Sequence, residues 1–176
     1  MAPIDETIPF LPVRIALLTI SDSRDMSSDR SGATLRERVE ASGHIVAEQS
    51  IVPDDRPTIA AAFRKWAASP DVDVVISTGG TGVTGRDVTP EALSDVAEKM
   101  IDGFGELFRW LSYSKIGTST VQSRACAGVL NGTYIFCAPG SPSACRDVWD
   151  GILKEQLDIR HRPCNFVELL PRLRER

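Results

Sequence analysis

Short runs of consecutive apolar residues alternate along the chain with stretches in which apolar residues recur every three or four positions. Arg14–Ser21 (RIALLTIS), His44–Val52 and Val72–Ser77 (VDVVIS) are of the first kind and read as buried strands. Between them Leu35 and Val39 stand one helical turn apart before Gly43, and Ile59, Ala62, Phe63, Trp66 and Ala67 mark one face of a second helix. Further on, Thr89-Pro90-Glu91 has the composition of a helix start, with Thr89 as the cap and Pro90 at the first helical position. Phe104, Leu107, Phe108 and Leu111 form another stripe, and Cys145, Val148, Trp149, Ile152, Leu153 and Leu157 a last one. Asn131-Gly132 sits between two apolar runs and predicts a hairpin of Gly128–Leu130 with Thr133–Cys137. Continuous apolar strands separated by amphipathic helices imply a parallel sheet covered on both faces, and the hairpin makes it mixed. The expected fold is therefore α/β: one domain over residues 13–161, with an arm at 1–12 and a tail at 162–176. The arm and tail carry Ile8, Phe10, Leu11, Phe166, Leu169 and Leu170 outside the obvious core elements, which points to packing at a subunit interface.

In an open α/β sheet a ligand sits beyond the carboxyl ends of the strands. Four loops fall there: Ser21-Asp22-Ser23, Pro53-Asp54-Asp55, Thr78 to Asp87, and Ala138 to Pro142. The third, opening TGGTGVTG, is richer in glycine than a turn needs; such a loop lets backbone N–H groups approach a phosphate. It is not a Walker-type loop, because GxxxxGK[ST] is absent. Gly80, Gly82 and Gly85 nominally fit GxGxxG, but no helix opens at the third glycine and no acidic residue ends a strand about 20 residues on, which argues against a dinucleotide site. Asp54 and Asp87 stand at the same sheet end. Two readings are open for them: they complement helix N-termini, or they hold Mg²⁺ against a bound phosphate.

Composition narrows the partners. With 20 Lys+Arg against 24 Asp+Glu the formal net charge is −4, which gives no electrostatic footprint for nucleic acid or a membrane surface. No apolar run is long enough to span a bilayer, and the acidic, proline-bearing arm lacks the pattern of a signal peptide, so a cytoplasmic location is expected. Cys126, Cys137, Cys145 and Cys164 form no Cys-x-x-Cys pair, and His44 and His161 are far apart in sequence, so free thiols are expected rather than a zinc site.

TGGTGVTGRDVTPEAL, GFGELFRWLSYSKIGTSTVQSRACAG and APGSPSACRDVW, in that order, resemble the molybdenum cofactor biosynthesis protein B family, related to the molybdopterin adenylyltransferases. The closing RPCNF is similar to the B branch, and the resemblance runs from about Val13 to Phe166. It implies a three-layer αβα domain with a mostly parallel, mixed sheet, assembled as trimers that pair into hexamers. It further implies adenylylation of molybdopterin by Mg·ATP, with Mg²⁺ as cofactor, ATP as co-substrate and later enzymes of the pathway as partners. The catalytic, Mg²⁺-holding positions match Asp54 and Asp87. Pterin and nucleotide positions match Thr78, Gly79, Gly80, Thr81, Gly82, Ser123, Arg124, Pro139, Gly140 and Ser141, to which the first loop adds Ser21 and Asp22. A non-catalytic pterin- or nucleotide-binding oligomer is the alternative, since some B-type members lack the acids.

Overall fold

The computed structural model describes residues 4–175; Pro3 of the arm and Arg176 of the tail lie outside the described residues. Six strands form one sheet in the order β2-β1-β3-β6-β5-β4. They are β1 (Arg14–Ile20), β2 (Ile45–Val52), β3 (Val74–Thr78), β4 (Lys99–Met100), β5 (Cys126–Leu130) and β6 (Thr133–Ala138). The first three and β6 run parallel, while β5 pairs antiparallel with both β6 and β4. The expected mixed sheet is what the chain forms, and Asn131 and Gly132, both at positive φ, close the hairpin that reverses it.

Side chains alternate across the strands, so each central strand feeds two cores. Ile15, Leu17, Val74, Ile76, Tyr134 and Phe136 face one side, packed on α1 (Arg30–Ala41), α4 (Asp102–Ile116) and α5 (Pro142–Val148). Ala16, Leu18, Ile20, Val75, Ile135 and Cys137 face the other, under α2 (Arg56–Ala67) and α3 (Thr89–Ser94). The result is three layers. The last apolar stripe is buried as expected, but its helix loosens into a π-turn at Trp149–Leu153 before α6 (Lys154–Gln156).

Three expectations change. Leu107 is not in the core: α4 buries Phe104 and Phe108 and turns Leu107, Trp110, Tyr113 and Ile116 outward. Thr89 does not cap α3; it lies inside the helix, and its hydroxyl donates to the Gly79 carbonyl. The tail, expected to carry its apolar residues outside the core elements, puts part of them into the core. Phe166 and Val167 of α7 (Phe166–Leu169) pack on the chain's own sheet, with the Phe166 ring centroid 4.8 Å from that of Tyr134 and 5.4 Å from that of Phe136. Leu170 packs there too, whereas Leu169 stays exposed. The arm is tied down on the same chain, Ile4 bridging to His161 and Phe10 lying against the His44 ring. Burying an aromatic side chain contributes about 2 kcal/mol. Phe166→Ala is therefore expected to lower Tm by about 4–8 °C, read by circular dichroism.

β4 is short but well placed. Ile101 N–H donates to Ala127 O and Glu98 N–H to Val129 O, each at 2.8 Å, along the outer edge of β5. Arg109 reaches the next carbonyl on that edge, Ala125 O. No run of apolar residues announces β4, and the sequence reading has no strand there.

Candidate functional site

The chain leaves β1 for α1 on one face of the sheet and leaves β3 for α3 on the other, so the two adjacent strands part at their carboxyl ends. Such a switch point is where open α/β sheets have a crevice. Here it is a cleft of about 480 Å³ lined by Ser21, Ser23 and Arg24 after β1, Gly79–Gly82 and Asp87 after β3, Gln122 and Ser123, and Pro139–Ser141 after β6.

The glycine loop owes its shape to its neighbours. Gly79 and Gly80 have φ of +110° and +65°, a region side chains avoid. Gly79 N–H donates to Ala138 O, Thr89 N–H to Gly80 O, and the Thr89 hydroxyl to Gly79 O. Arg124 completes the clamp. Its Nε donates to Gly82 O and its Nη2 to Asp87 O, each at 2.6 Å, while Nη1 pairs with Glu91.

Asp87 folds back on this loop, its Oδ2 accepting from the Thr84 N–H at 2.9 Å and hydroxyl at 2.7 Å. A Cβ on Gly82 would meet that oxygen at 2.7 Å. Burial pulls the Asp87 carboxyl upward, but the Thr84 donors outweigh it and hold the group below its usual value. Asp54 is different. Asp55 beside it caps α2 by accepting from Thr58 N–H, so Asp54 is left out of the helix start. Its Oδ1 is buried without a hydrogen-bond partner, 2.8 Å from where a Gly80 Cβ would be. Burial raises its pKa first, the carboxylates of Asp22 and Asp87 add to the rise, and Arg86 offsets part of it. Neither side chain caps a helix, although each acid stands one residue before an N-cap, Asp54 before Asp55 of α2 and Asp87 before Val88 of α3.

A folded state that raises an acid's pKa holds the proton more tightly than the unfolded chain, so stability falls as pH rises through the folded value. Asp54→Asn is thus expected to raise Tm above wild type at pH 7 without divalent cations. The gain should shrink as pH falls through the raised folded value and vanish well below the unfolded value of about 3.9, where wild-type Asp54 is neutral in both states. Thermal melts across pH in a chelator check this; a variant less stable at pH 7 contradicts it.

A family model described as "Probable molybdopterin binding domain" matches residues 16–159. The molybdenum cofactor biosynthesis protein B of Escherichia coli K12 is 52% identical over 157 residues, 89% of this chain and 92% of that protein. The chain belongs to the molybdenum cofactor biosynthesis protein B family. A crystal structure of a protein of that name superposes with a TM-score of 0.85 at 38% identity, covering 94% of this chain and 98% of the other. The tungsten cofactor synthesizing protein MoaB of Pyrococcus furiosus superposes at 0.75 and 32% identity, covering 93% and 98%. The three-layer architecture is that of the family.

Of the residues expected at the site from the resemblance and from the first loop, Ser21, Gly79, Gly80, Thr81, Gly82, Asp87, Ser123, Pro139, Gly140 and Ser141 line the cleft together. Four do not. Thr78 is buried, and its hydroxyl donates to Pro139 O at 2.9 Å. Arg124 has its guanidinium on the outer side of the glycine loop, committed to two carbonyls and Glu91, so it shapes the loop and does not face the cleft. Asp22 accepts from Asp54 N–H and pairs with Arg86. Asp54 stands behind Gly80. Ser23, part of the first candidate loop, also lines the cleft, and the sequence reading missed Arg24 and Gln122, which join it there. Arg24 had a signal, as a cation three residues past Ser21 in a stretch without helical period. Gln122 had none; it arrives on a 3-10 turn over Gly117–Gln122.

Proposed function

We propose that this member of the molybdenum cofactor biosynthesis family adenylylates molybdopterin. A terminal phosphate oxygen of molybdopterin forms a bond to the α-phosphorus of ATP, the bond from that phosphorus to the bridging oxygen breaks, and the electron pair leaves with pyrophosphate. The observation that carries the reading is the orphaned Asp54 Oδ1 and the Asp87 carboxylate set against Gly80 and Gly82 of one glycine loop. Two carboxylates beside a phosphate site repel the ligand unless a cation lies between. No group of three or more acidic, histidine or cysteine side chains converges as a metal cage among the described residues. Mg²⁺ suits this pair, because it needs only one or two carboxylates and takes its other ligands from phosphate and water. When bound it neutralises charge on the phosphates; Asp54 and Asp87 would hold it. The loop amides orient the nucleotide, and no nucleophile–base pair is needed, since transfer depends on positioning and electrostatics. Pyrophosphate release from ATP, Mg²⁺ and molybdopterin tests this. Binding of both ligands with no release supports the non-catalytic binder instead.

We also propose a homo-oligomer, a trimer or a pair of trimers, associated through α4. Leu107, Trp110, Tyr113 and Ile116 are exposed along α4, and Val121 is exposed next to Gln122 and Ser123 of the cleft. So many exposed large apolar side chains in one helix and the turn after it point to an association site. Light scattering on wild type and Trp110→Glu checks it: a multiple of three for the first and a smaller species for the second are expected. No helix among the described residues is long and apolar enough to cross a membrane. The acidic charge and four free cysteines support a cytoplasmic location, with later pathway enzymes as partners.

A further inference from the structure

The two lips of the cleft carry opposite charge. Asp87 lines the side where α2 and α3 begin, and Asp54 stands behind Gly80 on that same side. Arg24 belongs to the other side, in the turn before α1, and it is the one cationic side chain lining the cleft among the described residues. Its neighbours are hydroxyls and backbone: Ser21 and Ser23 on its own loop, Ser123, and Ser141 after β6. We propose that Arg24, with Ser23 and Ser141, forms a phosphomonoester subsite distinct from the carboxylate lip where Mg·nucleotide binds.

The guanidinium is placed for this and only loosely committed. Nη1 donates to Ser31 Oγ at 3.2 Å and to Gly140 O at 3.3 Å, both long for a charged donor, and lies 3.9 Å from Asp29. Asp29 itself is engaged elsewhere, accepting from the Thr19 hydroxyl and capping α1 through Gly32 N–H at 2.9 Å. The other two arginines near the site are taken: Arg124 is locked on the outside of the glycine loop, and Arg86 pairs with Asp22 outside the cleft lining. Ser31 Oγ donates to Gly140 O at 2.8 Å, which holds the β6 loop, and with it Ser141, beside Arg24.

The inference rests on the two-substrate reading above and deepens it. A transfer between two phosphate esters brings two anions together, and each needs its own counter-charge. A carboxylate lip can take a phosphate only with a cation, whereas an arginine–serine lip takes one directly. The polarity thus sets which substrate lies on which side: the phosphomonoester on the α1 side, the nucleotide on the α2 and α3 side.

Titration with inorganic phosphate in a chelator, followed by calorimetry or ³¹P line width, reads the first lip alone. Wild type is expected to bind, Arg24→Gln to lose about tenfold or more, Arg24→Lys to recover part of it, and Asp87→Asn to bind as well as wild type or better. Titration with Mg·ATP reads the second lip, where Arg24→Gln is expected to change affinity by less than about threefold while Asp87→Asn loses more. The subsite is overturned if wild type binds no phosphate, if Arg24→Gln binds it as wild type does, or if Asp87→Asn is the variant that loses it. Phosphate binding through Arg24 without pyrophosphate release from the full reaction leaves the subsite standing and removes the transferase reading. Turnover with phosphate binding indifferent to Arg24 does the reverse.

Discussion

Asp87→Asn is expected to cut pyrophosphate release by about 100-fold, ~3 kcal/mol, the scale of removing one preorganised electrostatic group. The substitution keeps an oxygen for the Thr84 amide and hydroxyl, so the loop retains its fold. It removes the charge, and the interaction it removes grows as charge moves to the departing pyrophosphate. Pterin affinity should change far less. Asp54→Asn should lower turnover similarly while raising metal-free stability, a combination that separates a functional acid from a structural one. The double variant should lose less than the sum, because both acids serve one charge. Steady-state release assays with a thermal melt on each variant give the answer. Normal turnover of Asp87→Asn would leave the cleft a binding site.

Gly80→Val is expected to abolish Mg·ATP binding, with affinity down at least about 100-fold, and to lower Tm by several degrees. Two effects add. A β-branched residue at φ +65° carries backbone strain of about 1–3 kcal/mol. The new Cβ also drives into the Thr89 hydroxyl and to 2.8 Å from Asp54 Oδ1, so relief requires breaking the lock that holds the loop on α3 or moving the acid. Gly82→Ala is a useful contrast. Gly82 has no positive φ, and the atoms nearest its new methyl are those of the Asp87 carboxylate, so it should cost less stability and act by displacing that acid. Isothermal titration and differential scanning fluorimetry distinguish the two; unchanged binding in Gly80→Val would show that this loop does not hold the phosphates.

Most of the fold was legible because its elements bury continuous or periodic apolar faces. Residues 15–20 alternate between two cores and could be nothing but a central strand. The hairpin was legible from two turn residues. What escaped was set by tertiary context. β4 has only Lys99 and Met100 and exists because β5 offers carbonyls to its backbone. Leu107 has the spacing of a core residue, and only packing shows that α4 faces the sheet through Phe104 and Phe108 instead. In the site, backbone-dominated positions were legible as glycines, since glycine is a statement about geometry. The division of labour among charged residues was not: nothing in the chain says that Asp55 takes the helix cap and frees Asp54, or that Arg124 grips the loop from outside while Arg24 faces in.

The edge at β5 has a consequence for how copies of this chain can meet. An open strand edge is a template on which another chain can add a strand, and the same surface seeds domain swapping and fibrils. Here the outward carbonyls of Ala125, Ala127 and Val129 are already taken by Arg109, Ile101 and Glu98. Lys99 adds a charge to the rim. At the opposite edge β2 carries Glu48, bound to Lys65 and to the Trp66 indole. The β5 side is thus closed to strand addition by the chain's own backbone, and the charge of Glu48 lies on the β2 side, so sheet extension is disfavoured at the first rim and discouraged at the second.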